Sequence, residues 1–414
     1  MIMDKYHLQE LLTCRNLLED PVMQTLIEAF SAPEPAQGAK AVALLVEQAE
    51  KLGLSGDIVR SYTLHLLSHD SNLVSGTMET HNGHIGESLR QAFIHDMEIL
   101  SPFLSNKGTL SAFPLLADYH PTKKNESVSW THLQTKMSSA NTPEELANAL
   151  LLHYRRYGYG DIASYRAFRW EQGQLTGIRH FEGMLLSDLI GYEHQKELLT
   201  GNTEAFVSGR PANNVLLVGA RGTGKSSAVK ALANEYYDDG LRLLQLTKNQ
   251  LKALPDIMET LRGFASKRFI IFLDDLSFEE SDAEYKYLKS AIEGGVESRP
   301  ENVLIYATSN RRHLIRESWR DRIDGQDELY RDDSVNETIS LSDRFGLIIH
   351  YYSPDQSEYL AIIRHMLKKQ GIELTEEELR IEGLRWEMSH SGRSGRTAQQ
   401  FVTHYLGHKT AAGK

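Results

Sequence analysis

An eight-residue, glycine-rich segment constrains the fold of this chain more than any other feature. Residues 219–226 read GARGTGKS, which is the pattern G-x-x-x-x-G-K-S. An apolar run (NVLLV, 214–218) precedes the segment, and a stretch with helical spacing (SSAVKALANEYY, 226–237) follows it. Between a strand and a helix, such glycines allow a tight turn whose amides, together with the helix dipole, bind phosphate. The segment therefore predicts a P-loop in an α/β fold.

The positions within this P-loop have separate expected roles. Lys225 is expected to reach the β- and γ-phosphates of a nucleotide, and the Ser226 hydroxyl is expected to ligate Mg²⁺. A glycine-rich turn without a ligand is the alternative, but the flanking strand and helix make a chance match rare. The predicted nucleotide-binding residues are Gly219, Ala220, Arg221, Gly222, Thr223, Gly224, Lys225, Ser226 and Ser227.

Two further strand-like runs end in polar residues. The run FIIFLDD (269–275) has five apolar residues and then two carboxylates, which suits a buried strand that ends at the phosphates. Asp274 is placed to hold Mg²⁺, directly or through water, and Asp275 is the candidate general base for the attacking water. The run NVLIYATSN (302–310) ends at Asn310, whose amide can hydrogen-bond the same water or the γ-phosphate.

The distribution of apolar residues predicts the fold class. Apolar, strand-like runs alternate with helix-length segments over 214–220, 242–247, 268–275, 302–310 and 347–352. This alternation is typical of a parallel sheet covered on both faces. Residues before 150 instead repeat apolar side chains every three or four positions, for example over 23–30, 39–52 and 144–157. After Pro354 the pattern is helical again, with a capping box predicted at Thr375.

Composition narrows the environment and the partners. The formal net charge is −11, which gives no bulk attraction to nucleic acid or anionic membranes, although a local basic patch is compatible with it. The single cysteine, Cys14, cannot form an internal disulfide, which favours a reducing compartment. Without an apolar run near the ~18 residues that span a bilayer, or a signal-peptide core, we expect a cytoplasmic chain with no membrane partner.

The order of these motifs resembles that of the AAA+ ATPases. In that superfamily a P-loop, an extra strand, an acidic strand, a strand with a polar end and a helical lid follow one another, as they do over roughly 185–408 here. Within it, several stretches resemble an uncharacterised bacterial family, domain of unknown function 815. These are LDDLSFEE (273–280), LIYATSNRRHLI (304–315), SGRTAQQF (394–401) and the N-terminal flank YGYGDIASYRAFRW (157–170).

The helical pattern of the first 150 residues and the range of the resemblance together predict five segments. Residues 1–150 form a mainly helical N-terminal domain, expected to be an interaction domain or a helical scaffold, and 151–184 form a linker or flank. Residues 185–352 form the AAA+ α/β ATPase core, 353–408 form the helical lid, and 409–414 form a tail. The predicted fold class is thus α/β, with a P-loop parallel sheet of AAA+ type, a helical C-terminal lid and a helical N-terminal domain.

The resemblance also implies contacts to the nucleotide in cis. Ile190, Gly191 and Tyr192 are implied to line the base, although an ordinary amphipathic helix start is the alternative. Asn310 matches the position known as sensor 1. Arg396 matches the sensor 2 position at the start of a lid helix and would contact the γ-phosphate; the alternative is Arg393.

A contact in trans is implied by LSDRFGL (341–347), which resembles an element whose arginine reaches the γ-phosphate on a neighbouring subunit. Arg344 is the candidate, Arg320 and Arg322 are rivals, and pairing with Asp343 is the structural alternative. Such an arginine finger is worth ~10³–10⁵ in rate. The active site would then lie between subunits of a ring or open spiral, with a hexamer expected from the family.

Asp275 departs from the superfamily, most of whose members have Glu at this position. Asp is shorter by one methylene, about 1.5 Å of reach, and a general base needs hydrogen-bond distance to its water. We therefore expect turnover that is slow or stimulated by a partner. Glu279 and Glu280 are alternative bases.

Three other segments have both a structural and a functional interpretation. His81 and His84 lie close together, but no further ligand nearby completes a zinc site. The charged run 319–333 is either a solvated loop or a DNA-contacting wedge. The tyrosines and arginines of 154–169 either pack in the core or stack on bases.

The sequence predicts an ATPase that binds ATP and Mg²⁺ and hydrolyses ATP to ADP and phosphate to drive conformational change in a protein client. One alternative is a nucleic-acid-associated loader or initiator-like ATP switch. Another is an ATP-ordered oligomeric scaffold with little turnover. The expected partners are ATP, further copies of the chain and an unknown protein client, with nucleic acid as an option.

Overall fold

A computed structural model describes most of the chain, which divides into two compact units. The described residues are 7–31, 35–104, 116–279, 284–293, 299–310, 315–316, 342, 344–390 and 392–409. The first, which we call the helical unit, comprises Met1–Tyr165 and Gly263–Lys267. The second, the sheet unit, comprises Arg166–Arg262 and Arg268–Lys414.

The described part of the helical unit is built from α-helices and two short 3₁₀ helices (Leu8–Glu10 and Arg15–Glu19). The α-helices are α1 (Pro21–Ser31), α2 (Pro35–Leu52), α3 (Ile58–His69), α4 (Leu73–Thr80), α5 (Glu87–Leu104), α6 (Val128–Ser139), α7 (Pro143–Tyr157) and α8 (Gly160–Ser164). The three helical runs predicted from apolar spacing lie within α1, α2 and α7, so these predictions are confirmed.

Helix α7 shows why the local sequence folds this way. The Thr142 side chain accepts a hydrogen bond from the Glu145 amide, and the Glu145 side chain bonds back to the Thr142 amide. Tyr154 and Tyr157 are each 1% exposed. The Tyr154 hydroxyl donates to the Leu67 carbonyl at 2.5 Å. Core packing is therefore the correct interpretation for these two tyrosines of the basic, aromatic stretch.

A buried carboxylate holds the N-terminal segment against α5. Asp96 is fully buried and accepts hydrogen bonds from the amides of Leu12, Thr13 and Cys14 at 2.8, 2.7 and 2.9 Å. The Thr13 hydroxyl adds a fourth bond at 2.6 Å. Four donors replace the water that this charge gives up on burial, which is what a buried carboxylate requires. Burial and the nearby Asp96 also raise the pKa of the Cys14 thiol.

The helical unit also contains a short segment from later in the chain. Lys267 is fully buried there and donates to the carbonyls of Tyr154 and Arg155 at 3.1 and 2.9 Å. Its ammonium lies 3.8 Å from the buried carboxylate of Glu79, which also accepts a hydrogen bond from the Ser266 hydroxyl at 2.5 Å. The sequence pattern does not predict that residues 263–267, which interrupt the sheet unit along the chain, belong to the helical unit.

The sheet unit contains a seven-stranded sheet. Its strands are β1 (Ala167–Glu171), β2 (Gln174–Gly177), β3 (Val215–Gly219), β4 (Leu241–Leu246), β5 (Arg268–Leu273), β7 (Val303–Ser309) and β9 (Leu347–Tyr351). Their order across the sheet is β2-β1-β4-β5-β7-β3-β9. Strands β1 and β2 are antiparallel, and all other pairs in this sheet are parallel. A separate two-stranded sheet pairs β6 (Phe278–Glu279) with β8 (Ile315–Arg316). The five predicted strands are confirmed to within two residues.

The helices of the sheet unit connect these strands and form the C-terminal lid. They are α9 (Glu193–Val207), α10 (Lys225–Glu235), α11 (Leu254–Arg262), α12 (Glu284–Glu293), α13 (Gln356–Lys369), α14 (Glu376–Met388) and α15 (Gly395–Lys409), with 3₁₀ helices at Leu186–Asp188 and Lys248–Ala253. The capping box predicted at Thr375 is present with Glu378. Among the described residues, no helix has both the length and the apolarity needed to cross a bilayer.

We predict that Asp96→Asn destabilises the full chain by about 2–4 kcal/mol, because an amide group would replace one oxygen where only donors converge. Urea unfolding followed by circular dichroism measures the change. Asp118→Asn is the control, since that carboxylate is 79% exposed and lies 3.6 Å from His120; we expect a change below about 0.5 kcal/mol. Equal effects of the two substitutions would contradict the role given to Asp96.

Candidate functional site

The carboxyl ends of three neighbouring strands bring the sequence motifs together. Strand β7 lies between β5 and β3, with Leu273 opposite Ala307 and Val218 opposite Ser309. Because these strands are parallel, their carboxyl ends meet at one edge of the sheet. The P-loop after β3, the aspartates after β5 and Asn310 after β7 therefore share one site.

The P-loop has the backbone conformation that its glycines allow. Gly222 and Gly224 have φ values of +75° and +88°, in the region that residues other than glycine rarely adopt. Gly224 immediately precedes α10, so the amino end of this helix faces the loop. The amides at that end and the helix dipole favour an anion there.

The Lys225 ammonium is held inside the loop. Its Nζ donates to the carbonyls of Gly219 and Ala220 at 2.8 and 2.7 Å, and to Asn310 Oδ1 at 3.3 Å. Burial lowers the pKa of Lys225, while the carboxylates of Asp275 and Asp274 oppose that shift. The charge is thus placed between the loop and the aspartates, where a phosphate group would meet it.

Asp274 and Ser226 present oxygens that suit Mg²⁺. The Ser226 hydroxyl donates to Asp274 Oδ1 at 2.5 Å, which places these two oxygens side by side. Neighbouring oxygens around an octahedral Mg²⁺ lie about 3 Å apart, and hydroxyl and carboxylate oxygens are its usual protein ligands. The donor set therefore fits the metal. Thr308, which sequence reasoning missed, donates to the same Oδ1 at 2.7 Å.

Asp275 lies at a backbone turn directly after Asp274. Its φ is +52°, and its amide donates to the Thr308 hydroxyl at 2.9 Å. Its carboxylate accepts a short hydrogen bond from Asn310 Nδ2 and lies 3.8 Å from the Arg221 guanidinium. The structure thus brings together the candidate base, the candidate sensor residue Asn310 and an arginine of the P-loop.

A cavity beside the P-loop is lined by two of the three residues expected at the base, Ile190 and Tyr192. The Tyr192 ring lies 5.0 Å from that of Tyr351, and its hydroxyl donates to the Tyr352 carbonyl at 2.8 Å. Gly191, the third, has φ +79°. The described residues that line this cavity are Asp188, Leu189, Ile190, Tyr192, Lys196, Gly222, Thr223, Gly224, Tyr351, Ile362, Met366 and Gly395.

Sequence reasoning missed the part of this cavity that comes from β9 and the lid. Tyr351 closes β9, and Ile362 and Met366 are one helical turn apart on α13. Their apolar spacing predicts a buried helix face, but no local signal distinguishes a face that lines a cavity from one that packs in a core.

The lid contacts the P-loop through the start of α15. The Gly395 amide donates to the Gly222 carbonyl at 2.8 Å. A Cβ on Gly222 would lie 2.9 Å from Ser394 Oγ and 3.2 Å from the Cβ of Arg396. Arg393, the alternative to Arg396, instead donates from Nε to Glu387 at 3.0 Å. Arg396 is thus adjacent to the P-loop, while Arg393 is paired within the lid.

Arg344 lies just before β9, at the amino ends of the parallel strands, whereas the P-loop lies at their carboxyl ends. Leu347, the first residue of β9, is opposite Val215, the first residue of β3. The P-loop begins at Gly219, the last residue of β3. Gly219 lies about 13 Å from Val215 along the strand direction. Arg320, Arg322 and Glu280 lie outside the described residues, as does the charged run 319–333, and Glu279 closes β6.

Residues 163–409 match the protein family described as "Protein of unknown function (DUF815)", and this range covers more than half of the chain. The chain belongs to this family. The matched range of the DUF815 protein contains the P-loop, Asp274, Asp275, Asn310, Arg344 and Arg396. Its sheet unit has the P-loop fold of AAA+ type, with strand order β9-β3-β7-β5-β4 around the site and a helical C-terminal lid.

Parts of the DUF815 chain are similar to curated proteins. It is 28% identical over 141 residues to the replication factor C small subunit of Haloarcula marismortui, which covers 32% of this chain and 41% of that protein. It is 31% identical over 102 residues to the replication factor C large subunit of Methanococcus vannielii, covering 24% of this chain and 21% of that protein. The chain thus spans less than half the length of these relatives.

Two solved structures show a more distant similarity. The Thermotoga maritima RuvB Holliday junction branch migration motor is 19% identical, with a TM-score of 0.35, over 53% of this chain and 63% of that chain. The FIGL-1 AAA domain in complex with ADP is 17% identical, with a TM-score of 0.38, over 53% of this chain and 72% of that chain. Neither similarity assigns an activity to this chain.

We predict that Gly222→Ala loosens the contact between the lid and the P-loop, because the added Cβ meets Ser394 while φ is +75°. Strain of about 1–2 kcal/mol would raise the hydrogen-exchange rate of the Gly395 amide about tenfold. Gly392→Ala is the matched control, since Gly392 has φ +89° but no neighbour within 4 Å of an added Cβ. Unchanged exchange at Gly395 in Gly222→Ala would contradict the expected clash.

Proposed function

We propose that this chain binds ATP with Mg²⁺, hydrolyses it to ADP and phosphate, and uses the resulting lid movement to change the conformation of a protein partner. One observation carries the proposal. Lys225, Asp274 and Asn310, which end or follow three neighbouring parallel strands, converge beside the amino end of α10. A cation, a carboxylate and an amide around a phosphate-binding loop are the groups that phosphoryl transfer requires.

The bound nucleotide would occupy the P-loop and the adjoining cavity. The residues of 219–227 surround the phosphates, with loop amides directed at their oxygens. Lys225 exchanges its carbonyl partners for the β- and γ-phosphates, since those carbonyls already place its ammonium in the loop. Ile190, Gly191 and Tyr192 accept the base, and Tyr351, whose ring packs against that of Tyr192, also lines the cavity.

Ser226 and Asp274 would hold Mg²⁺. The metal would neutralise part of the negative charge of the phosphates. Because one hydrogen bond already joins the Ser226 hydroxyl and Asp274, the chain needs little rearrangement to present both oxygens. Thr308 donates to the same oxygen of Asp274 and helps to keep the carboxylate oriented.

Asp275 and Asn310 would orient the attacking water. Asn310 bonds both Lys225 and Asp275, so it connects the phosphate end of the site to the candidate base. Asp275 is one methylene shorter than the usual Glu and is engaged by Asn310 and approached by Arg221. These contacts support slow turnover or turnover stimulated by a partner.

Two arginines would stabilise the charge that develops on the γ-phosphate. Arg396 acts in cis, since it adjoins Gly222 of the P-loop. Arg344 acts in trans, because its position at the far edge of the sheet separates it from the P-loop of its own chain. A site completed by a neighbour requires an oligomer, which we propose to be a ring or open spiral of six subunits.

A second candidate function is a nucleic-acid-associated ATP switch. It is favoured by the similarity of this chain to curated proteins named replication factor C subunits. Hydrolysis stimulated by DNA in a salt-dependent manner would support it, whereas stimulation by a protein alone would support the first candidate. A third, an ATP-ordered scaffold, would bind ATP and show little turnover with either.

We predict that Lys225→Ala weakens ATP binding at least tenfold, because a charge-assisted contact to phosphate is lost. Asp275→Asn should keep ATP affinity within about twofold and lower hydrolysis about 10²–10⁴-fold, the range for a general base. Calorimetry and phosphate release measure the two effects. Lys230→Ala is the control on the same helix, since Lys230 lies 3.4 Å from Glu182. Absence of ATP binding by the wild-type chain with Mg²⁺ would refute the proposed function.

We predict that mixing Lys225→Ala chains with Arg344→Ala chains restores hydrolysis that neither variant has alone. In a randomly mixed ring, roughly a quarter of the interfaces combine an intact P-loop with an intact Arg344. Phosphate release in the mixture should therefore reach about that fraction of wild-type activity. No recovery, when light scattering shows wild-type assembly, would contradict a trans role for Arg344. Full activity of Arg344→Ala alone would move that role to another arginine.

A further inference from the structure

One buried hydroxyl bonds both aspartates of the site. Thr308 is the second-last residue of β7 and is 2% exposed. Its Oγ1 donates to Asp274 Oδ1 at 2.7 Å and accepts from the Asp275 amide at 2.9 Å. The Thr308 side chain on β7 thus reaches across to the end of the neighbouring strand, β5, and contacts two consecutive residues there.

The direction of these bonds is determined by the groups involved. A hydroxyl has a single proton, and the carboxylate of Asp274 can only accept, so Thr308 donates to Asp274 and accepts from the Asp275 amide. Ser226 approaches the same oxygen of Asp274 at 2.5 Å. Two donors on one oxygen define the orientation of the carboxylate that would serve the metal.

The bond to the Asp275 amide acts on the backbone. Asp275 has a φ of +52°, which costs a residue with a side chain on the order of 1 kcal/mol. The hydrogen bond from the Asp275 amide to the Thr308 hydroxyl lies at this turn and offsets part of that cost. The turn ends the extended strand and directs the Asp275 carboxylate to Asn310. The same hydroxyl therefore influences both the metal ligand and the base.

A need to satisfy buried carboxylates does not explain this hydroxyl. The side chains of Asp274 and Asp275 are exposed and have access to water for their hydrogen bonds. Valine has nearly the same shape as threonine and is well accommodated in a buried parallel strand. What the hydroxyl adds, in comparison with water, is a fixed direction.

We propose that Thr308 is the positioning residue of this site, which sets the orientation of Asp274 for Mg²⁺ and the turn that places Asp275 beside Asn310. The inference rests on the proposed function, because it concerns the same site. Thr308 touches neither nucleotide nor water in this scheme and acts only through the two aspartates.

The test compares Thr308→Val, which removes the hydroxyl, with Thr308→Ser, which keeps it. Binding of Mn²⁺ to the ADP-loaded full chain, followed by electron paramagnetic resonance, measures the metal site without turnover. We expect Thr308→Val to weaken Mn²⁺ binding about 10-fold or more, within the 10–100-fold range for residues that orient metal ligands. The half-saturating Mg²⁺ concentration for hydrolysis should rise in parallel, and kcat should fall.

Thr308→Ser should recover metal binding to within about threefold of the wild type, while metal-free ADP affinity stays within about twofold in both variants. Thr203→Val is the matched control, because Thr203 is also fully buried and its hydroxyl bonds the Leu199 carbonyl at 2.8 Å and the Tyr306 hydroxyl at 2.9 Å rather than the aspartates. It should leave metal binding unchanged even where it lowers stability.

Wild-type metal binding in Thr308→Val would overturn the proposal, and so would equal losses in the valine and serine variants. Failure of the proposed function is seen separately, as absence of ATP binding by the wild-type chain. A wild-type chain that binds ATP but turns it over slowly leaves the Mn²⁺ measurement fully able to decide.

Discussion

The adjacency of three parallel strands is the constraint on which the rest of the site depends. Strands β5, β7 and β3 are buried on both faces, and their registers place Asp274, Thr308 and the P-loop at one edge. From there hydrogen bonds connect Lys225 to Asn310, Asn310 to Asp275, and Ser226 and Thr308 to Asp274. A shift of one strand by one residue would reverse the faces of its side chains and separate these groups.

The lid contacts the core at the same edge of the sheet. The Gly395 amide bonds the Gly222 carbonyl, and Asp188, which precedes the core helix α9, pairs with Lys369 at the end of α13. Residues of both parts line the cavity beside the P-loop. A ligand that fills this cavity therefore contacts core and lid together, which is the physical basis for the proposed coupling of phosphate chemistry to lid movement.

The sequence predicts the helices of the helical unit but not the long-range contacts between them. The helices of the helical unit follow from apolar spacing and caps, as at Thr142, whereas the burial of Asp96 does not. Asp96 bonds residues more than 80 positions away in sequence, and no local pattern reports such a partner. The same holds for Lys267, whose buried contacts include Glu79 and Tyr154.

The sequence by itself determined the P-loop, the acidic strand and the helical character of both ends, because these depend on spacing within one segment. It also placed Asn310 at the end of a neighbouring strand. Only the tertiary structure decided that β7 lies between β5 and β3, that Thr308 bonds both aspartates, and that Tyr351 and the lid complete the cavity. These features arise from side chains that meet across neighbouring strands and between the core and the lid. Their positions are set by the packing of the whole sheet rather than by their neighbours in the chain.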